Sequence, residues 1–120
     1  MKYIALFTIF VVANAIEYYK VKDDVDIPAL VARPGGLKPF VDCYLDKGPC
    51  SELATSFKEM IPESTQQSCA RCTDKLKHQY WYFLEALNKT MPEGYTAFRQ
   101  HADPENKYFD TLEKELSKFA

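Results

Sequence analysis

The chain has 120 residues, of which 15 are basic and 17 are acidic, and 47% of them are hydrophobic. Such a mildly acidic chain lacks the excess of positive charge that attracts nucleic acid or an anionic membrane, so neither is an expected partner. The same charge balance argues against a cationic membrane-lytic peptide.

The N-terminal residues 1–15 predict a secretory signal peptide that is cleaved after Ala15. Lys2 is followed by a short apolar run, Tyr3 to Val12, and then by an Ala-x-Ala step, which is the composition of such a leader. The run is too short to cross a bilayer as a helix, and no later stretch is long enough. We therefore expect a protein secreted into extracellular fluid, without membrane insertion, whose single domain spans residues 16–120.

The apolar residues of that domain recur at intervals of three and four, not two, which predicts one compact all-helical fold. Capping residues, prolines and glycines divide the chain into about six helices. The predicted helices, in chain order, are a short one capped by Asp26, one from about Leu37 to Leu45, one from Ser51 to a stop at Pro62, a long one from Ser64 or Thr65 to about Asn88, one opened by Pro92 and one opened by Asp103-Pro104.

The long fourth helix is expected to form the buried centre of the domain. Its positions 69, 72, 76, 80, 83 and 87 step by three or four, so their side chains form one apolar stripe with Leu84 beside it. This register places Cys69 and Cys72 in the first turns of the helix.

All four cysteines lie after the leader, and an even count in a small secreted domain predicts disulfides with three possible pairings. Cys69 and Cys72 share a helical face and can meet, and Cys43 and Cys50 flank a Gly-Pro turn, so two local bridges need no long-range closure. A redox role is disfavoured because thioredoxin-like motifs follow a strand. The six residues between Cys43 and Cys50 also disfavour zinc, so we expect no metal.

No other group of residues predicts catalysis or a cofactor. His78 and His101 are expected on solvated helical faces, and the chain has no phosphate-binding glycine loop. Asn88-Lys89-Thr90 satisfies the glycosylation sequon, which permits a glycan on Asn88. Fourteen residues after the leader are aromatic, and this content fits either an ordinary core or an internal pocket for an apolar ligand.

The spacing Cys-x6-Cys-x18-Cys-x2-Cys, with DCYLDKGPC around the first pair and CARCTDK around the second, resembles the insect chemosensory protein (OS-D) family. The segments EYYKVKDDVDIPAL and ADPENKY extend the similarity over almost the whole mature chain. The resemblance implies six helices around a hydrophobic channel that takes fatty or odorant-like ligands. It also implies the bridges Cys43–Cys50 and Cys69–Cys72.

The chain departs from the family pattern in the residues expected near the channel. Phe40 stands where a tyrosine is usual, Tyr95 where a tryptophan is usual, and Leu76 where a glutamine is usual. Tyr80 and Trp81 stand where small or polar residues are common. These large rings predict a more compact and more aromatic pocket, which favours cyclic or shorter ligands over long straight chains.

We therefore expect a secreted, monomeric carrier that binds a small apolar ligand without chemistry. The alternative is a secreted signalling or interaction protein of the same fold that has no obligatory ligand. The ligand-binding residues predicted from helical face and family position are Leu30, Leu37, Phe40, Val41, Tyr44, Phe57, Ile61, Leu76, Tyr80, Phe83, Leu84, Leu87, Tyr95 and Phe98.

Overall fold

The computed structural model describes residues 16–120, which contain six α-helices and no strand. The predicted all-helical class is therefore confirmed, while the predicted signal peptide, residues 1–15, lies outside the described residues. The helices are α1, Ile27–Ala32; α2, Lys38–Tyr44; α3, Glu52–Gln66; α4, Asp74–Thr90; α5, Pro92–Ala102; and α6, Phe109–Ser117.

Three helices begin at a side-chain cap. Asp26, Ser51 and Thr73 each accept a hydrogen bond from the backbone N–H three residues further on, at 3.0, 3.0 and 3.1 Å. Each bond satisfies an N–H that the first helical turn leaves without an intrahelical partner. The starts at Asp26 and Ser51 confirm the predictions.

Two glycines make the sharp turn between α1 and α2. Gly35 has a φ of 69°, in the left-handed region that favours glycine. A Cβ on Gly36 would lie 1.9 Å from the carbonyl oxygen of Leu30, so no larger residue fits there. The turn redirects the chain between α1 and α2, and Leu30 and Leu37 on either side of it line one cavity.

The prediction that Pro62 stops the third helix is wrong, because α3 continues through it to Gln66. Proline removes one backbone donor from a helix, but Pro62 is exposed, so water can reach the carbonyl that loses its partner. The neighbouring Met60 and Ile61 are buried on the opposite side. Packing of this apolar face sustains the helix across the proline.

The prediction that the long helix starts at Ser64 or Thr65 and contains both cysteines is also wrong. The helix α4 starts after Thr73, and residues 67–73 form a turn between α3 and α4. Ser68 and Cys69 have φ values of 54° and 61°, which an α-helix of L-residues does not allow. The Cys69–Cys72 bridge therefore holds the corner before α4.

The last helix also begins later than predicted, at Phe109 instead of Asp103-Pro104. The carboxylate of Asp103 accepts hydrogen bonds from the backbone N–H groups of Lys107, Tyr108 and Phe109 at 3.0, 2.8 and 2.9 Å. Asp103 thus caps α6 from the far side of an intervening turn.

Both disulfides are local, as the family resemblance implied. Cys43 pairs with Cys50 and Cys69 with Cys72, with Cα–Cα distances of 4.9 and 5.1 Å. In the chain-entropy treatment, rings of this size stabilise the fold by about 2.5 and about 2 kcal/mol, respectively. Most of the stability therefore comes from the apolar core.

That core lies where α4 packs against α5 and α6. Leu87 of α4 and Phe109, Leu112 and Leu116 of α6 are fully buried. Of the predicted stripe on α4, Leu76, Tyr80 and Leu87 are buried, as is Leu84 beside it, whereas Phe83 is only partly buried. Among residues 16–120, no helix is long and apolar enough to span a membrane.

Candidate ligand-binding site

An apolar cavity lies between helices α1 to α5, beside the core that α4 forms with α6. Helical spacing explains its wall: Leu37, Phe40 and Tyr44 share one face of α2, and Ala54, Phe57 and Ile61 share one face of α3. The lining residues are Val25, Ile27, Leu30, Leu37, Phe40, Tyr44, Ala54, Phe57, Lys58, Met60, Ile61, Gln79, Tyr80, Phe83 and Phe98.

The free space in this cavity is small. Its atom-free volume is about 630 Å³, and part of that volume is open to solvent. The volume that the centre of a water molecule can reach is only about 60 Å³. Because one water needs roughly 10–15 Å³ of the latter kind of space, the cavity has room for only a few waters. A larger ligand can enter only if lining side chains move.

Stacked aromatic rings form one end of the cavity. The ring of Phe98 lies 4.5 Å from that of Tyr44 and 5.6 Å from that of Phe83, measured between centroids. Tilted and edge-to-face pairs of this kind are favourable beyond the area that they bury. His101, which is exposed, packs edge-on against the outer side of Tyr44 at 4.9 Å.

Two polar atoms at the cavity wall are buried without a hydrogen-bond partner. They are the hydroxyl of Tyr80 and Oε1 of Gln79. Burial raises the pKa of Tyr80, as does the proximity of Tyr44, whereas the Thr65 hydroxyl acts to lower it. Burial likewise raises the pKa of Tyr44 to about 12. Both phenols are therefore neutral at physiological pH.

Lys58 lines the cavity, but its ammonium group is already bound. Its Nζ lies 2.5 Å from Oδ1 of Asp46 and donates to the carbonyl oxygen of Cys43 at 3.1 Å. The hydrogen bond from Lys58 and its positive charge hold the pKa of Asp46 below its usual value. The charge of Lys58 is thus neutralised outside the cavity, and the lining residues within 16–120 present no free cation to its interior.

Residues 17–25, here called the N-terminal strap, close one side of the cavity with Val25. The backbone N–H of Tyr19 donates to the carbonyl of Arg71 at 2.9 Å, and the Tyr19 hydroxyl donates to Oε1 of Glu63 at 2.5 Å. The guanidinium of Arg71 lies over the Tyr19 ring, 4.8 Å from its centroid. The strap is therefore attached to the turn that the Cys69–Cys72 bridge closes.

Nine of the fourteen predicted ligand-binding residues line this cavity. They are Leu30, Leu37, Phe40, Tyr44, Phe57, Ile61, Tyr80, Phe83 and Phe98. The other five lie elsewhere: Val41, Leu76, Leu84 and Leu87 are buried in the core, and Tyr95 donates to Oε2 of Glu113 at 2.7 Å.

The sequence reasoning missed six lining residues: Val25, Ile27, Ala54, Lys58, Met60 and Gln79. Ala54 and Lys58 lie seven and three residues before Ile61, so the helical period of α3 could have found them. Gln79 gave no such signal, because a polar residue beside an apolar stripe ordinarily faces water.

The remaining candidate residues lie outside this cavity. Asn88 is exposed near the end of α4, and a glycan there stays a prediction. Among the described residues, all cysteines are disulfide-bonded, and no cluster of three or more His, Cys, Asp or Glu side chains could hold a metal ion.

Within residues 16–120, six helices, two local disulfides and a partly open apolar cavity define a small helical protein with a hydrophobic site. Residues 18–110 match the insect pheromone-binding family, A10/OS-D, and the chain belongs to that family. The family resemblance inferred from the cysteine spacing is thereby confirmed.

Two relatives illustrate the similarity. The chain is 29% identical to allergen Tha p 1 of Thaumetopoea pityocampa over 94 residues, which cover 78% of this chain and 75% of the relative. It is 27% identical to a putative odorant-binding protein A10 of Drosophila melanogaster over 86 residues, 72% of this chain. That match spans only 56% of the Drosophila protein.

Proposed function

We propose that this protein is a carrier that holds one small hydrophobic molecule in the cavity between α1 and α5. The observation that carries the proposal is the composition of the wall, which is apolar except at Tyr44, Lys58, Gln79 and Tyr80. Membership in a pheromone-binding family supports the same role. Burial of ligand surface would supply about 25 cal/mol per Å² of apolar area removed from water.

The ligand that fits best is compact or cyclic. Little free space remains between the rings of Phe40, Tyr80, Phe83 and Phe98. A long straight chain would need several of these rings to move at once, whereas a single ring can pack against them edge-on.

Competition against an apolar fluorescent probe, 1-N-phenylnaphthylamine, tests both statements. We expect aromatic and monoterpene alcohols to displace the probe more readily than the straight-chain series from dodecanol to octadecanol. Tightest binding by the longest chains would contradict the compact pocket. A thermal unfolding midpoint that no apolar compound raises would contradict the carrier role and favour a ligand-independent signalling protein, because a ligand of the native state must stabilise it.

A pair of alanine variants locates the binding. Ala54 is buried at the cavity wall, so Ala54→Leu fills part of the cavity and should weaken probe binding by about tenfold or more. Ala29 is exposed on α1, so Ala29→Leu adds the same atoms to the surface and should leave binding unchanged. Equal affinities in the two variants would place the probe outside this cavity.

The proposal also includes secretion of the mature chain as a monomer. Mass spectrometry of the protein from its native source should show Ile16 as the first residue, and light scattering should give the mass of one chain. The same mass spectrum would report a glycan on Asn88.

A further inference from the structure

The two unpartnered polar atoms belong to adjacent residues of α4, and both residues line the cavity. Tyr80 is only 5% exposed, so no bulk water reaches its hydroxyl. A buried donor or acceptor without a partner costs free energy, and native proteins leave few of them. Two such atoms on one wall of an otherwise apolar cavity mark a position where a polar group of a ligand is accommodated.

The orientation of the Gln79 amide is fixed by the strap. Its Nε2 donates to the carbonyl oxygens of Asp23 and Val25 at 2.6 and 3.4 Å. The reversed amide would place Oε1 against those two oxygens, which is unfavourable because neither side could donate. Oε1 is therefore the atom left over, and Gln79 offers the ligand an acceptor only.

Tyr80 offers the complementary group. A neutral phenol donates one hydrogen bond and can also accept. The hydroxyl of Thr65, which affects the titration of Tyr80, donates its own proton to the carbonyl of Ile61 at 2.7 Å. Thr65 could therefore only accept from Tyr80, and no such hydrogen bond is formed, so the Tyr80 hydroxyl still has a proton to donate.

We propose that Gln79 and Tyr80 form a polar pair that recognises a hydroxyl group on the ligand, which makes the preferred ligand a small hydrophobic alcohol. The inference rests on the proposed carrier function and adds the chemical class of the ligand. A hydroxyl donates to Gln79 Oε1 and accepts from Tyr80, so it satisfies both atoms. A carbonyl can only accept, and it leaves Gln79 without a donor.

Charged ligands fit this wall poorly. A carboxylate could accept from Tyr80, but it would face the oxygen of Gln79 in an apolar cavity. The lysine that lines this cavity, Lys58, is already paired with Asp46. A buried charge without a counter-ion is disfavoured far more than a neutral group of the same shape.

Three probes of one skeleton test the pair: 2-phenylethanol, phenylacetaldehyde and ethylbenzene, each measured by displacement of 1-N-phenylnaphthylamine. The alcohol also loses more hydration than the hydrocarbon on entering the cavity. The informative quantity is therefore the ratio of two affinities in the wild type, compared with the same ratio in a variant.

Two variants separate the two hydrogen bonds. Tyr80→Phe removes only the hydroxyl, and it should lower both the alcohol-to-hydrocarbon and the aldehyde-to-hydrocarbon affinity ratios by about tenfold, the effect of one hydrogen bond. Gln79→Met should lower the alcohol-to-hydrocarbon ratio by about tenfold and leave the aldehyde-to-hydrocarbon ratio unchanged. Phenylalanine fills the same space as tyrosine, so Tyr80→Phe provides a test even if Gln79→Met does not fold.

Each outcome decides one question. Ratios that stay the same in Tyr80→Phe would overturn the polar pair while leaving the carrier function in place. Failure of all three compounds and of the fluorescent probe to bind the wild type would overturn the carrier function itself. The expected drop in the ratios, in a variant with unchanged helical circular dichroism, would establish the pair.

Discussion

Tyr80 combines two roles that usually belong to different side chains. Its ring is part of the buried stripe of α4, and its hydroxyl is buried without a hydrogen-bond partner. The ring contributes to stability in the ordinary way, through buried area. The hydroxyl does not contribute to the stability of the empty protein, because its hydrogen bonds to water are lost on folding and are not replaced.

Removal of that hydroxyl should therefore not destabilise the ligand-free protein. We expect Tyr80→Phe to leave the free energy of unfolding unchanged or to raise it by about 1 kcal/mol. Tyr95→Phe is the matched control, because the Tyr95 hydroxyl donates to Glu113, and its loss should cost about 1 kcal/mol. Urea unfolding measures both, and a clear loss of stability in Tyr80→Phe would show that its hydroxyl is bonded within the protein.

The predicted site residues on α4 fall into two groups, those that line the cavity and those that pack in the core. The helical period correctly indicates which side of a helix is apolar, but it does not indicate how far a cavity extends along the axis. The cavity contacts about one turn of α4, from Gln79 to Phe83. Leu76 lies before that turn and Leu87 beyond it, so both share the apolar side of the helix and yet pack in the core.

At the scale of the helices, capping residues directly before α1 and α3 predicted where these helices begin. The start of α6 depends instead on a capping residue that does not directly precede it. Asp103 precedes α6 by six residues and is buried, with three backbone donors on its carboxylate. Sequence patterns indicate a capping residue only when it directly precedes its helix. An intervening turn hides the relation, and the boundary was therefore predicted too early.

Loss of the Asp103 carboxylate should loosen α6 from its first turn. We expect Asp103→Ala to lower the melting temperature by about 5–10 °C, because three N–H groups lose their acceptor. Asp103→Asn keeps the shape and one acceptor, so it should have a smaller effect. Equal effects of the two substitutions in differential scanning calorimetry would contradict the capping role.

The same carboxylate predicts a dependence on pH. Burial acts to raise the pKa of Asp103, but its three backbone hydrogen bonds and the nearby Arg99 together lower it. A depressed pKa in the folded state gives stability that is present above the ordinary carboxyl pKa and is lost as the pH falls through the folded value. The difference in melting temperature between the wild type and Asp103→Asn should therefore shrink from about pH 5 to about pH 3. A constant difference would show that Asp103 does not titrate in this way.

At the scale of the whole molecule, the class of fold was predictable because it depends on periodicity, and the disulfide pairing because the family resemblance implied it. The connection between one bridge and the cavity was not predictable. The turn closed by Cys69 and Cys72 holds Arg71, which binds the strap at Tyr19. The strap in turn supplies Val25 to the cavity wall and fixes the amide of Gln79.

This chain of contacts predicts that the Cys69–Cys72 bridge controls the mobility of the strap. In Cys69→Ser/Cys72→Ser, we expect the Tyr19 amide to exchange with solvent up to about thirtyfold faster, if the stabilisation of about 2 kcal/mol acts on strap opening. Release of a bound probe should also become faster, because the strap covers the cavity. Hydrogen exchange monitored by NMR and stopped-flow dilution measure the two rates.

The second bridge provides the control for this prediction. Cys43→Ser/Cys50→Ser removes a local disulfide of similar strength, but neither cysteine belongs to the turn that holds the strap. It should lower global stability by about 2.5 kcal/mol and leave the Tyr19 amide unchanged, since a surface segment exchanges through local opening and not through global unfolding. Equal acceleration of the Tyr19 amide in both double variants would mean that the strap opens only when the whole domain unfolds, and the Cys69–Cys72 turn would then have no separate influence on the cavity.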